Sequence, residues 1–298
     1  MERIVDCHGL SKTYRAGTIA LDDLDFSVEK GAIHGLVGRN GAGKTTLMKC
    51  LFNLIRPTSG TVSVFGHPAG QMAHNVGGLI EMPAFYKHLS GRQNLALFAG
   101  YFGVDGAECE RILELVGLAN RAGDKASRYS LGMKQRLGIA IALLGKPELL
   151  ILDEPVNGLD PLAITEIRDL MRTLRESGTT ILLSSHLLGE IEQVCDAVTV
   201  LEAGKLVATG APGQLRQQFN GQAPFELQVG DLAKASQLLD SMSVKVEVDG
   251  SSLLAYLPEG MTASDLVKVL VKGDIEVGSV KRRDSLEAAY LSMTRKEQ

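Results

Sequence analysis

The sequence predicts an α/β core followed by a small α+β domain, and three observations carry that expectation. Over the first two hundred residues, compact apolar runs alternate with stretches of helical spacing. A glycine-rich turn sits between one such run and the helical pattern after it. Composition then turns polar across 211–224, APGQLRQQFNGQAP, before a new alternation begins. At 298 residues the chain exceeds the usual single-domain length, which agrees with two domains that each bury a core.

The runs at 33–38 (IHGLVG), 149–154 (LLILDE) and 179–186 (TTILLSSH) are short, apolar and bounded by Gly or Pro, as buried strands are. Helical spacing covers 44–54, 133–144 and 162–177, the last opened by Asp160 as cap and Pro161 as first-turn residue. These units predict a largely parallel sheet. The first domain is expected over 1–215 and the second over 216–298. In the second, a strand (225–229), a helix (231–242), two strands meeting at Asp249-Gly250, a helix (262–271) and a strand (275–280) predict a ferredoxin-like βαββαβ domain, with a last helix at 285–294.

Composition restricts the function. With 45% hydrophobic and 22% charged residues the chain reads as an ordinary globular protein. A net charge of −4 argues against a nucleic-acid binder, because phosphate backbones reward clustered Lys and Arg. Cys7, Cys50, Cys109 and Cys195 lie far apart without CxxC spacing, so neither a zinc site nor a disulfide framework is suggested, and a reducing cytoplasm is the natural setting. The amino terminus has no signal-peptide core, and no stretch approaches the ~20 apolar residues of a membrane helix. A membrane role would have to come from partner chains.

The strongest motif is Gly38-Arg39-Asn40-Gly41-Ala42-Gly43-Lys44-Thr45, which fits G-x4-G-K-[ST] after a strand and before a helix. Gly41 and Gly43 allow the backbone to curl so that successive N–H groups point inward, and the helix beginning at Lys44 adds its positive end. Lys44 is expected to reach the β- and γ-phosphates and Thr45 to ligate Mg²⁺, with Ala42 and Thr46 completing the contact run. The Asp153-Glu154 pair ends an apolar strand. Taken alone it could be a helix cap or solvated turn; beside a phosphate loop, Asp153 is expected to support the metal and Glu154 to accept a proton from the attacking water.

Three further segments narrow the family. Tyr129-Ser130-Leu131-Gly132-Met133-Lys134-Gln135-Arg136 resembles the LSGGQ signature of ABC ATPases, Asn157-Gly158-Leu159-Asp160 resembles their D-loop, and Ser184-Ser185-His186 resembles their switch-histidine segment. With the phosphate motifs, the resemblance covers roughly residues 1–215. Leu131 and Met133 depart from the signature, whereas Ser130 and Gly132 keep it. The resemblance implies an ATP- and Mg²⁺-dependent ATPase at the cytoplasmic face of the membrane, working with integral membrane permease subunits. It implies that Ser130, Gly132 and Met133 contact the γ-phosphate bound by a second subunit, either another copy or a paralogue. It further implies that Tyr14 stacks on adenine, that His186 bonds the γ-phosphate, and that Asp160 belongs to the nucleotide site. Without it, Tyr14 is a surface-strand aromatic and His186 a loop histidine.

Glu81 stands where the family usually has glutamine. The sequence looks similar to ABC subunits that expel lantibiotics and bacitracin-like peptides, which carry this Glu, and its SLEAAYLSMT tail resembles theirs. That implies Glu81 at the metal or its water; neutral drift from Gln is the alternative. Another drug or amphiphile is an alternative cargo. A soluble ABC ATPase acting on ribosomes or DNA is the rival function, but such chains usually carry two cassettes or a coiled-coil insertion. In the carboxyl-terminal domain no charged or aromatic cluster over 225–280 marks a pocket, so it reads as packing or dimer support, with ligand sensing as the alternative.

Overall fold

The structure is a computed structural model that describes residues 2–15, 17–71, 75–219, 224–258 and 260–282. The helix expected at 285–294 and the SLEAAYLSMT tail lie outside the described residues. The chain divides into two compact units that part after Ala211.

The first unit runs β1 (Arg3–Thr13), β2 (Ile19–Glu29), β3 (Ile33–Val37), α1 (Lys44–Leu51), β4 (Ser59–Val64), β5 (His67–Pro68), β6 (Val76–Leu79), α2 (Gly91–Phe102), α3 (Gly106–Leu115), α4 (Leu131–Leu143), β7 (Leu149–Leu152), α5 (Pro161–Glu176), β8 (Thr180–Ser185), α6 (Leu188–Val194), β9 (Ala197–Glu202) and β10 (Lys205–Gly210). These strands form two sheets. The larger has the order β10-β9-β3-β8-β7-β6, parallel from β9 to β6 and antiparallel at the β10 edge. Every residue of β3, β7 and β8 is buried, as continuous apolar runs in a covered parallel sheet should be.

The larger sheet is the largely parallel one expected; the second sheet, β2-β1-β4-β5, is antiparallel throughout and is an addition to it. Its strands show one-sided burial: Leu24, Phe26 and Val28 are buried on β2 while Asp25 between them is exposed. Buried residues of both sheets and of α1 share one core, with Leu24, Phe26, Leu47, Met48, Leu51, Leu149 and Ile151 among its members. This packing fixes α1, and therefore the loop before it, against both sheets.

The α5 helix begins as its sequence dictates. Asp160 Oδ1 accepts from Ala163 N at 2.9 Å and Pro161 occupies the first turn. Its buried residues Ala163, Ile167, Leu170, Met171 and Leu174 recur at helical spacing.

The second unit opens with α7 (Pro212–Phe219) and continues β11 (Phe225–Val229), α8 (Leu232–Ser241), β12 (Lys245–Asp249), β13 (Ser252–Tyr256), α9 (Ala263–Lys272) and β14 (Val277–Arg282). Its antiparallel sheet has the order β12-β13-β11-β14, the arrangement of a ferredoxin-like βαββαβ unit. Leu227, Leu239, Leu253, Leu266 and Leu270 lie in a core of its own. Asp231 and Thr262 cap α8 and α9, the latter through a reciprocal capping box with Asp265.

Candidate active site

Parallel pairing sets β7 beside β8 and β8 beside β3, with Leu152 opposite Leu183 and Val37 opposite Ser185. The residues that follow these strands therefore emerge together at one edge: Gly38 and the phosphate loop after β3, Asp153 and Glu154 after β7, His186 after β8. Ligand sites of open α/β sheets form at such carboxyl ends.

The loop between Gly38 and α1 is shaped by glycine. Gly41 and Gly43 have φ of 84° and 108°, both left-handed, and Gly43 caps α1. Arg39, Asn40 and Gly41 are exposed, whereas Ala42, Gly43 and Lys44 are buried. Lys44 Nζ donates to the Gly38 carbonyl at 2.6 Å and lies 3.4 Å from Glu154 Oε1. Its side chain is only 6% exposed, a burial that a lysine tolerates only with such partners.

Thr45 donates its hydroxyl to Asp153 Oδ2 at 2.8 Å. Ser184 donates to Asp153 Oδ1 at 2.6 Å and accepts from Glu154 N at 2.8 Å. One serine on β8 thus fixes both acidic residues that follow β7. Glu154 has a φ of 50°, an uncommon conformation for a residue with a side chain, held by its surroundings. Its Oε2 lies 2.8 Å from His186 Nδ1. Lys44, Thr45, Asp153, Glu154 and His186 are therefore one connected cluster. The sequence singled out all five but did not assign Ser184 a role, although it stands in the same SSH segment as His186.

The remaining candidates lie outside this cluster. The hydroxyls of Tyr14 and Thr46 are 3.4 Å apart, which sets the tyrosine ring beside the start of α1. Glu81 has a φ of 61°, and Lys49 Nζ donates to its Oε1 at 2.6 Å. Its carboxylate holds the Lys49 ammonium above its ordinary pKa, chiefly through that hydrogen bond. Ser130 caps α4, its Oγ accepting from Met133 N at 3.2 Å, and Gly132 is buried in that first turn. Asp160 serves as the α5 cap. Among the described residues, no hydrogen bond or ion pair joins Ser130, Gly132, Met133 or Asp160 to the phosphate loop of the same chain.

The donor set suits magnesium bound together with phosphate oxygens. Among the described residues no group of three or more His, Cys, Asp or Glu could hold a metal unaided. The Thr45 hydroxyl and one Asp153 oxygen are already 2.8 Å apart, and Mg²⁺ is commonly held by one or two protein groups plus substrate phosphates.

A glycine-shaped loop between a parallel strand and a helix, with an acidic pair ending the next strand but one, defines a phosphate-loop nucleotide hydrolase. Comparison with known proteins agrees. The ABC transporter family model matches residues 21–157. The bacitracin transport ATP-binding protein BcrA of Bacillus licheniformis is 38% identical over 304 residues, covering 98% of each chain. The BcrA of Enterococcus faecalis is 44% identical over 247 residues, 81% of this chain and 79% of that one. A solved ATP-binding subunit of an ABC transporter superposes with a TM-score of 0.65 at 34% identity, over 72% of this chain and 93% of that one. The chain belongs to the ATP-binding proteins of ABC transporters. It is accordingly an ATPase, of a kind that pairs as dimers and serves membrane permeases. Among the described residues no helix is long and apolar enough to cross a membrane.

Proposed function

We propose that this chain powers export of an antimicrobial peptide of the bacitracin or lantibiotic class, acting at the cytoplasmic face of the membrane on separate permease subunits. The observation that carries the cargo is the likeness to two bacitracin transport ATP-binding proteins, one of them over nearly the whole chain. The Glu at position 81 agrees with it.

In this reading Gly38, Arg39, Asn40, Gly41, Ala42, Gly43, Lys44, Thr45 and Thr46 wrap the phosphates, with Lys44 exchanging its Gly38 carbonyl for phosphate oxygens. Tyr14 stacks on the adenine. Thr45 and Asp153 would hold Mg²⁺, with Glu81 touching it or its water; when bound, the ion neutralises charge on the phosphates. Glu154 takes the proton of the attacking water, and His186 orients toward the γ-phosphate. Ser130, Gly132, Met133 and Asp160, separate from the loop of their own chain, serve the site of a second copy or a paralogue, where the α4 amino terminus faces the phosphate. The segment from Glu81 to Leu95 is the surface offered to the permease; a groove of about 270 Å³ lined by Phe52, Ile80, Met82, Ala84 and Phe98 includes part of that segment.

The test is resistance. The chain, co-expressed with its membrane partners in a sensitive host, should raise the minimal inhibitory concentration of bacitracin or a lantibiotic, and Glu154→Gln should abolish the gain. Unchanged sensitivity to both, with a functional ATPase at the membrane, would assign the transporter another cargo.

A further inference from the structure

Lys12 lies on β1 two residues before Tyr14 and takes no part in the chemistry above. Its Nζ donates to the Arg56 carbonyl at 2.7 Å and stands 5.4 Å from the centroid of the Tyr14 ring, within the range where an ammonium is attracted to an aromatic face. A lysine head on a flexible stem would ordinarily wander through solvent; here the carbonyl holds it over the ring. The anchor is itself fixed. Thr13 N donates to Thr58 Oγ1 at 2.9 Å and Thr58 N donates to the Ser11 carbonyl at 2.8 Å, so the end of β1 and the segment after α1 are joined on both sides of Lys12.

The tyrosine is thus restrained at two places. Its hydroxyl meets Thr46 on α1 at 3.4 Å, and one face is covered by the ammonium. Yet Tyr14 remains 41% exposed, so it keeps open surface. We propose that Lys12 is a positioning residue for the nucleotide base: it occupies one face of the Tyr14 ring and leaves the other for a purine. The inference rests on Tyr14 being the base platform. A ring held between a fixed cation and a purine loses little freedom when the purine arrives, and most of that ordering is already supplied by the fold. Stacking uses the π-face and not the hydrogen-bonding edge, so the contribution is the same for adenine and guanine nucleotides.

The test measures dissociation constants of fluorescent mant-ATP and mant-GTP for the full-length wild type, Lys12→Met, Lys12→Arg, Tyr14→Ala and the Lys12→Met/Tyr14→Ala double variant, with melting temperatures alongside. Lys12→Met should weaken both nucleotides about two- to fivefold, the range of an exposed cation–π contact. Lys12→Arg should restore binding. In the Tyr14→Ala background the Lys12→Met change should have no further effect. An equal loss with and without Tyr14 would mean that Lys12 acts on the phosphates or through Arg56, and overturns the proposal. So does unchanged binding by Lys12→Met while Tyr14→Ala binds poorly, which leaves the platform intact. Wild-type binding by Tyr14→Ala removes the platform and the proposal together.

Discussion

Glu154 and His186 share a hydrogen bond of 2.8 Å between Oε2 and Nδ1, while the other carboxylate oxygen of Glu154 faces Lys44 Nζ at 3.4 Å. The carboxylate is thereby aimed between the phosphate-binding lysine and the histidine after β8. Its backbone, at φ 50°, donates its N–H to Ser184 Oγ. Replacing Glu154 by Gln keeps the shape and removes the proton acceptor. Hydrolysis should fall by about 10²–10⁴-fold with ATP binding retained, which phosphate release and nucleotide-binding assays can measure separately. Parental turnover in Glu154→Gln would remove it as the base.

Ser184 is fully buried and serves two acidic residues at once. Ser184→Ala leaves Asp153 Oδ1 and the Glu154 amide without that partner in a setting that water reaches poorly. The expected cost is about 1–3 kcal/mol of stability, with a lower turnover because both groups can now shift. Calorimetry and steady-state hydrolysis on the same preparation would check the pairing of the two losses. A variant as stable and active as the parent would make the serine a bystander.

Glu81 and Lys49 pair through a 2.6 Å hydrogen bond from separate segments of the first unit. Glu81→Gln keeps an acceptor for Lys49 while removing the charge. ATP hydrolysis should persist, because Gln can still reach the metal or its water, and peptide resistance in cells should change, because position 81 opens the segment offered to the permease. Resistance indistinguishable from wild type would reduce Glu81 to a neutral replacement of glutamine.

What could be read beforehand, and what could not, divides along a physical line. The strands β3, β7 and β8 are continuous apolar runs, and α5 announces itself with Asp160-Pro161, so local chemistry was enough. The phosphate loop was legible because glycine at fixed spacing has few other reasons to precede Lys-Thr. The antiparallel sheet was not. Its long strands mix Asp with apolar residues, and the β1–β2 pairing carries irregularities, including one between Cys7 and Leu10, that break a period of two. Ser184 and Lys49 are not readable as partners in the sequence because Asp153 and Glu81 lie 31 and 32 residues away, so that only the folded arrangement brings them together.

His34 sits buried on β3, bonded through Nε2 to Thr199 Oγ1 at 2.8 Å and edge-on to Phe26. Burial lowers its pKa from 6.5 to about 4, so the fold holds it neutral. Between those values the unfolded chain binds a proton that the folded chain does not. The stability His34 preserves is complete above pH 6.5 and is lost as the pH falls toward 4, by about 3 kcal/mol in all. A His34→Gln variant should lack this share of the acid sensitivity. Denaturant melts of both proteins between pH 7 and 4 would expose the difference, and parallel pH profiles would contradict it.

Gly41 and Gly43 separate two costs at the phosphate loop. Both have left-handed φ, but a Cβ on Gly41 would meet nothing within 4 Å, whereas one on Gly43 would come within 2.5 Å of the Ala20 carbonyl oxygen and 2.9 Å of Leu21 Cδ2. Gly41→Ala should therefore carry only the conformational penalty, about 1–2 kcal/mol, and still bind nucleotide weakly. Gly43→Ala adds a collision with main chain at the cap of α1, which cannot yield without moving β2 or the loop. It should melt lower than Gly41→Ala and lose nucleotide binding. Thermal denaturation with and without ATP is the measurement: a ligand-induced rise in melting temperature should survive in Gly41→Ala and vanish in Gly43→Ala. If the two variants behave alike, backbone conformation alone governs the loop and the contact with Ala20 is immaterial.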